Sequence, residues 1–178
     1  MLQTNSQTTH DFGTGPVPAH QHSNGGGWVA DTATVAETVY VGPDALVSGN
    51  ARISGNARIS GDAKIYDNAH LYGNALIYGN AWISGYAQIS GNAQISGDAL
   101  ICGYAKISNP DDILWGYLGG FNFTAYKLQN GSVFLQYGCE GHDLQNWENL
   151  HEKLALKHNM PGHERWTRMA AQNAAILK

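Results

Sequence analysis

The sequence predicts a mainly β fold: a single-stranded parallel β-helix of about four and a half coils, each of about 18 residues, followed by a small α+β domain. Three regularities carry that expectation. Aliphatic side chains occupy every sixth position from Val29 through Val35, Val41, Val47, Ile53, Ile59, Ile65, Leu71, Ile77, Ile83, Ile89, Ile95 and Ile101 to Ile107. A small residue stands two positions earlier, nearly always alanine from Ala33 to Ala105, with Val39 an exception. Gly-Asn or Gly-Asp follows almost every pair, as in VSGNARISGNARISGDAKI over residues 47–65.

Neither an α-helix nor a flat sheet has a period of six. In an extended chain, positions two apart point the same way, so each small and aliphatic pair faces inward while its neighbours face out. A corner must follow before the next pair arrives. Glycine takes positive φ without steric cost and Asn or Asp tolerates it best among the rest, which accounts for Asp67 in a glycine's place. Three strands and three corners close a triangular coil that stacks on the next at about 4.8 Å. From residue 28 to residue 108 the prism would be roughly 20 Å long.

Stepping eighteen at a time sorts the outward positions onto three walls. The first receives Thr34, Arg52, His70, Gln88 and Lys106, and reads as solvated. The second receives Tyr40, Arg58, Leu76 and Gln94 and is mixed. The third receives Trp28, Leu46, Lys64, Trp82 and Leu100, with Tyr66 and Cys102 beside them. Soluble monomers rarely expose so long an apolar strip, so either a second copy or the C-terminal segment should cover it. Trp28, Leu46, Trp82 and Leu100 are the expected oligomer interface.

The phrase I-S-G-N-A-R, with its aliphatic first and small fifth residue, resembles the hexapeptide repeat of the left-handed β-helix family best known from acyltransferases. The match covers nearly half the chain and departs at the second position, mostly Ser or Tyr here. The resemblance implies a left-handed coil and trimers with their prisms side by side. It also implies acyl transfer from a thioester cofactor, with a histidine as general base near the groove between prisms. His70 is the only histidine inside the repeats and is the candidate base. Resembling enzymes usually break the coils with a long loop that walls off the substrate. No insertion breaks the grid here, so a non-catalytic protein without a cofactor is expected. The stretch GGGWVADTATVAETVYVG also resembles bacterial and phage hexapeptide proteins of unassigned activity.

The ends of the prism need covers, because an open coil presents unpaired backbone groups. Residues 1–27 include the aperiodic lead FGTGPVPAHQHSNGGG and are expected to be flexible or to drape as a cap. Asn109-Pro110-Asp111-Asp112 stops the repeat, since proline removes a ladder donor, and residues 109–178 form the second unit. Within it FNFTAYKL and SVFLQYG alternate like strands joined through Gln129-Asn130-Gly131, with ILWGYL a candidate third. Asp143 is placed as an N-cap before Leu144, Trp147, Leu150 and Leu154, and Met160-Pro161-Gly162 ends that helix. A last helix would carry Trp166, Met169, Ala170, Ile176 and Leu177 on one face. TAYKLQNGSVFLQYGCEG resembles the tails of some other hexapeptide proteins.

Candidate binding residues are few. Arg52, Arg58 and Lys64, with Tyr66, Tyr72 and Tyr78, are suited to a small anion such as a nucleotide. The tyrosines come from successive words and so fall on three walls, and only an assembly would bring them together. No metal is expected. Its candidate ligands are His20 and His22, whose i, i+2 spacing around a threefold axis would gather six imidazoles, and Cys139 with His142, near His151, His158 and His163.

Composition narrows the rest. A formal net charge of -4 gives no basic footprint for a nucleic-acid polymer, and no apolar run reaches membrane-spanning length. The start, MLQTNSQTTH, has neither a basic region nor an apolar core, and the two cysteines, Cys102 and Cys139, have no finger spacing. A reduced cytoplasmic setting is expected, the host cytoplasm for a phage-encoded chain. The functional expectation is a non-catalytic oligomeric scaffold, the prism self-associating, with trimers favoured, and residues 109–178 engaging a protein partner. Runner-up readings are a small-molecule binder and an acyltransferase.

Overall fold

The structure, a computed structural model, describes residues 8–118, 120–137, 140–147 and 163–177. The aliphatic grid builds a β-solenoid of about four turns over residues 28–107. The third wall stacks β3 (Trp28–Ala30), β6 (Leu46–Val47), β9 (Lys64–Ile65), β12 (Trp82–Ile83) and β15 (Leu100–Ile101). The first wall stacks β4 (Thr34–Val35), β7 (Arg52–Ile53), β10 (His70–Leu71), β13 (Gln88–Ile89) and β16 (Lys106–Ile107). The second wall stacks β5 (Tyr40–Val41), β8 (Arg58–Ile59), β11 (Leu76–Ile77) and β14 (Gln94–Ile95). Every pairing is parallel and in register, as in Trp82 opposite Leu100 and His70 opposite Gln88.

Inside the prism the aliphatic residues from Val41 to Ile107 and the alanines from Ala45 to Ala105 are buried. Val35, in the first coil, is only partly buried. Corners turn on positive φ. At Gly55 (φ 75) an added Cβ would lie 2.6 Å from the Gly73 carbonyl oxygen of the next coil, so the corner column excludes side chains by contact as well as by φ. Asp67 (φ 58) is the one non-glycine exception among the described residues, and its carboxylate accepts a hydrogen bond from the Gly85 amide (3.1 Å).

The N-terminal lead is more regular than its composition suggests. β1 (Thr9–Asp11) and β2 (Pro16–Gln21) form an antiparallel hairpin, and β2 pairs antiparallel with β3, so two further strands extend the third wall. Asp11 closes the hairpin by accepting from the Gly13 and Gly15 amides (2.7 and 2.9 Å), and these bonds hold its carboxyl below the usual carboxylate value.

After a 3₁₀ turn, Pro110–Asp112, the chain enters a four-stranded antiparallel sheet in the order β17 (Ile113–Leu118), β18 (Phe121–Lys127), β19 (Val133–Tyr137), β20 (Glu140–Asp143). The hairpin at Gln129-Asn130-Gly131 and the strand ILWGYL form as the sequence indicates. The fourth strand, EGHD, has no alternation to announce it and takes its structure from pairing with β19. Residues 144–147 are helical directly after Asp143, and the remainder of that expected helix, with Met160-Pro161-Gly162, lies outside the described residues. A helix over His163–Ala174 ends in a 3₁₀ turn, Ala175–Leu177, which buries Leu177 but turns Ile176 outward, 78% exposed, against the shared face expected of it. Among the described residues, no helix is long and apolar enough to cross a membrane.

β18 joins the two units because its faces serve different cores. Phe123 and Ala125 pack with Leu135, Tyr137, Leu144 and Trp147 in the C-terminal core, while Tyr126 joins the prism core. Its prism-facing side chains meet the last coil, which has no successor to accept its N–H groups. Thr124 Oγ1 accepts from the Leu100 amide (3.1 Å), and the Tyr126 hydroxyl accepts from the Cys102 amide and donates to the Cys102 carbonyl (both 3.2 Å). Burial pushes the Tyr126 phenol well above its ordinary value, and the neighbouring Cys102 thiol adds to this. Asp112 does the same for Ser108 and Asn109 (2.9 and 3.0 Å) and pairs with Lys127 (3.1 Å). Burial opposes the Asp112 charge, yet these donors keep its carboxyl below the usual value.

Ile83→Asp should abolish the folded prism, since an unpaired carboxylate in the column costs several kcal/mol of a total of about 5–15. A wild-type melting curve by circular dichroism would place Ile83 outside the core. Tyr126→Phe leaves the Cys102 amide and carbonyl without that partner and should lower stability by about 1–3 kcal/mol in denaturant titration. An unchanged midpoint would remove Tyr126 from the cap.

Candidate functional sites on the prism walls

The third wall is covered at both ends by the chain itself. Trp28 is half-buried under His10, whose ring stacks on it at 4.5 Å and 13°, with Phe12 edge-on to His10 at 4.9 Å. Leu100 is half-buried where β18 crosses the last coil. The middle stays open. Trp82 is 44% exposed, the Lys64 ammonium lies 5.0 Å above its ring, and Tyr66 meets it edge-on at 6.3 Å. Leu46 is half-buried beside them. With Phe12 and Val17 of the hairpin, these residues line a pocket of about 550 Å³. The eighteen-residue step places Trp28, Leu46, Trp82 and Leu100 on one wall, as the structure does, but gives no sign of the hairpin that covers Trp28.

The other candidate anion residues stand apart from one another. Arg58, exposed on the second wall, lies 4.6 Å over the Tyr40 ring. Tyr66, Tyr72 and Tyr78 form a belt around one coil, one per wall, with Tyr72 and Tyr78 exposed. One coil on, Ser84, Ser90 and Ser96 are buried in register beneath that belt, whereas Ser54 one coil before it is exposed. A single prism does not bring the three rings together.

The first wall holds a second concavity. Arg52, His70 and Gln88 follow one another in register, with Arg52 exposed and His70 half-buried. Beside them at the corner stand Asn50, Asn68, Tyr86 and Tyr104, and the whole lines a groove of about 340 Å³. Sequence reasoning found Arg52 and His70 but not Tyr86 and Tyr104. Their signal lies in the turns, where Gly-Tyr replaces Gly-Asn twice, eighteen residues apart.

The metal candidates are dispersed. His20 is exposed, its Nδ1 at 2.9 Å from Asp31 Oδ1, whereas His22 is 6% exposed and bonds the Asn24 backbone, because β2 ends at Gln21 and the chain turns between the two rings. His142 lies edge-on to Trp147 at 5.9 Å, and Cys139 falls outside the described residues. Among the described residues no three His, Cys, Asp or Glu side chains come together as a metal site. On the C-terminal sheet, Trp115 and Tyr117 are exposed on β17, an outer strand.

Residues 45–61, 51–64, 69–85 and 87–103 match the YdcK β-solenoid repeat. By repeat and by coil geometry alike, the chain is a repeat β-helix protein. No curated protein and no solved structure matches it.

Proposed function

We propose that the protein is a non-catalytic, self-associating scaffold whose copies meet through the open middle of the third wall. The observation that carries this reading is Trp82, 44% exposed on the third wall with Lys64 and Leu100 on either side. A ladder of side chains repeating at about 4.8 Å is matched over several coils only by another ladder of the same spacing. A second prism of this chain has that spacing, which favours a copy over an unrelated protein. Closed rings of such prisms, trimers among them, would hide Trp82 on every member. The C-terminal sheet supplies the surface for a protein partner, since β17, an edge strand among the described residues, leaves Tyr117 69% exposed and is able to receive an added strand.

Light scattering on the purified chain should give a multiple of 19.2 kDa. Trp82→Glu should return the mass to that of one chain while the coils stay folded by circular dichroism, loss of the ring contacts with Lys64 and Tyr66 costing about 1 kcal/mol. A wild-type mass of 19.2 kDa would overturn self-association.

A further inference from the structure

The three corner columns of the prism differ in what their side chains do. Between the first and second walls, Asn56, Asn74 and Asn92 pass amide hydrogen bonds from coil to coil (3.5 and 3.3 Å). Between the second and third walls, Asn80 donates to Asp98 (2.9 Å). Where the third wall turns into the first, the column reads Thr32, Asn50, Asn68, Tyr86, Tyr104. Thr32 bonds the Gly49 carbonyl. The side chains of Asn50 and Asn68 make no hydrogen bond to any described residue.

Tyr86 and Tyr104 stack almost parallel, with centroids 5.3 Å apart and 7° between planes, yet remain 54% and 59% exposed. Gln129 braces this end, bonding the backbone carbonyls of both (3.0 Å at Tyr104, 3.4 Å at Tyr86). The ring ladder stops at Tyr86, because the next member of the column is Asn68. A shorter side chain there leaves a ring-sized step against the uncovered face of Tyr86, inside the 340 Å³ groove. Two residues further along the same coils stand His70 and Arg52, whose side chains have no ion pair or hydrogen bond with described residues.

We propose that this groove binds a nucleoside monophosphate. The base continues the ring ladder on Tyr86 at the level of Asn68, and the phosphate lies against Arg52 with His70 between. Stacking on tyrosine tolerates any base, since each has a π-face. The planar guanidinium of Arg52 matches a phosphate bidentately, and the Asn50 and Asn68 amides have the free donors and acceptors that base edges and ribose hydroxyls require. Base and phosphate are separated along the prism axis by roughly one coil, about 4.8 Å. The groove is short and the chain carries a net charge of -4, which fits a mononucleotide and not a polymer. All these residues lie in one chain, so the site does not depend on self-association.

Isothermal titration calorimetry of the full chain with the four nucleoside 5′-monophosphates, one at a time, tests this. At least one should bind at one per chain, with inorganic phosphate and the matching nucleoside each at least about tenfold weaker, the two halves of the ligand acting together. Arg52→Gln and Tyr86→Asn should each weaken binding about tenfold or more, as loss of a charge-assisted pair or an aromatic platform does. Both substitutions install residues that the same columns already use, at Gln88 and Asn68, so the coils keep their register, and circular dichroism should confirm it. Arg58→Gln, on the second wall, should bind as wild type does. Absence of saturable heat with all four nucleotides overturns the proposal. So does equal affinity for phosphate alone, or unchanged affinity in either groove variant.

Discussion

The architecture depends on one repeated hydrogen bond, from the N–H of a strand residue to the carbonyl seventeen residues later. It recurs at 2.9 Å from Arg52 to Ala69, from Leu76 to Ala93 and from Trp82 to Ala99. Because a donor finds its partner in the next coil only where successive coils stay in register, this bond goes with an eighteen-residue repeat, which residues 28–107 keep throughout. From it follow the in-register columns: isoleucine on isoleucine inside, amide on amide or ring on ring outside. The glycine corners follow too. Backbones of successive turns come so close that a Cβ at Gly55 would clash with Gly73, and Asp67 occupies such a position with its carboxylate bonded to the coil below.

A ladder of this kind has ends, and the ends shape the rest of the molecule. At the front, backbone covers backbone, as the β1–β2 hairpin lies antiparallel on β3. At the back, side chains take the part of a missing coil: Thr124, Tyr126 and Asp112 supply oxygens to the amides of Leu100, Cys102 and Ser108. Placing those oxygens requires a rigid strand across the prism mouth, and β18 becomes rigid by having its opposite face in a second core. The C-terminal sheet is thus a structural stopper as well as a surface of its own. The same two covers shorten the apolar strip of the third wall and confine its exposed part to the neighbourhood of Trp82.

Function in such a molecule belongs to surfaces. A flat wall offers little enclosure, so recognition must come from columns that differ from their neighbours. Two places answer that description: the exposed stretch of the third wall, where Trp82 carries a cation on one face, and the corner where an asparagine column gives way to stacked tyrosines. At each, a side chain breaks the local word without disturbing the backbone, which is how a repeat can acquire a site at low structural cost.

The sequence alone determined what depends on neighbours in the chain. Its six-residue period placed the inward residues from Val41 to Ile107, its eighteen-residue sum sorted the walls, proline at position 110 marked the end of the repeat, and Gln129-Asn130-Gly131 marked a hairpin. These signals are local because backbone geometry and side-chain alternation are local. Tertiary structure decided what answers to an unfilled surface. The N-terminal lead reads as aperiodic because its pairing partner is the edge of β3, and EGHD reads as a loop because only β19 makes it a strand. The double role of β18 and the meeting of Tyr86 with Tyr104 likewise become visible only when coils are stacked, since unpaired amides and neighbouring rings are properties of the assembled prism and not of any one word.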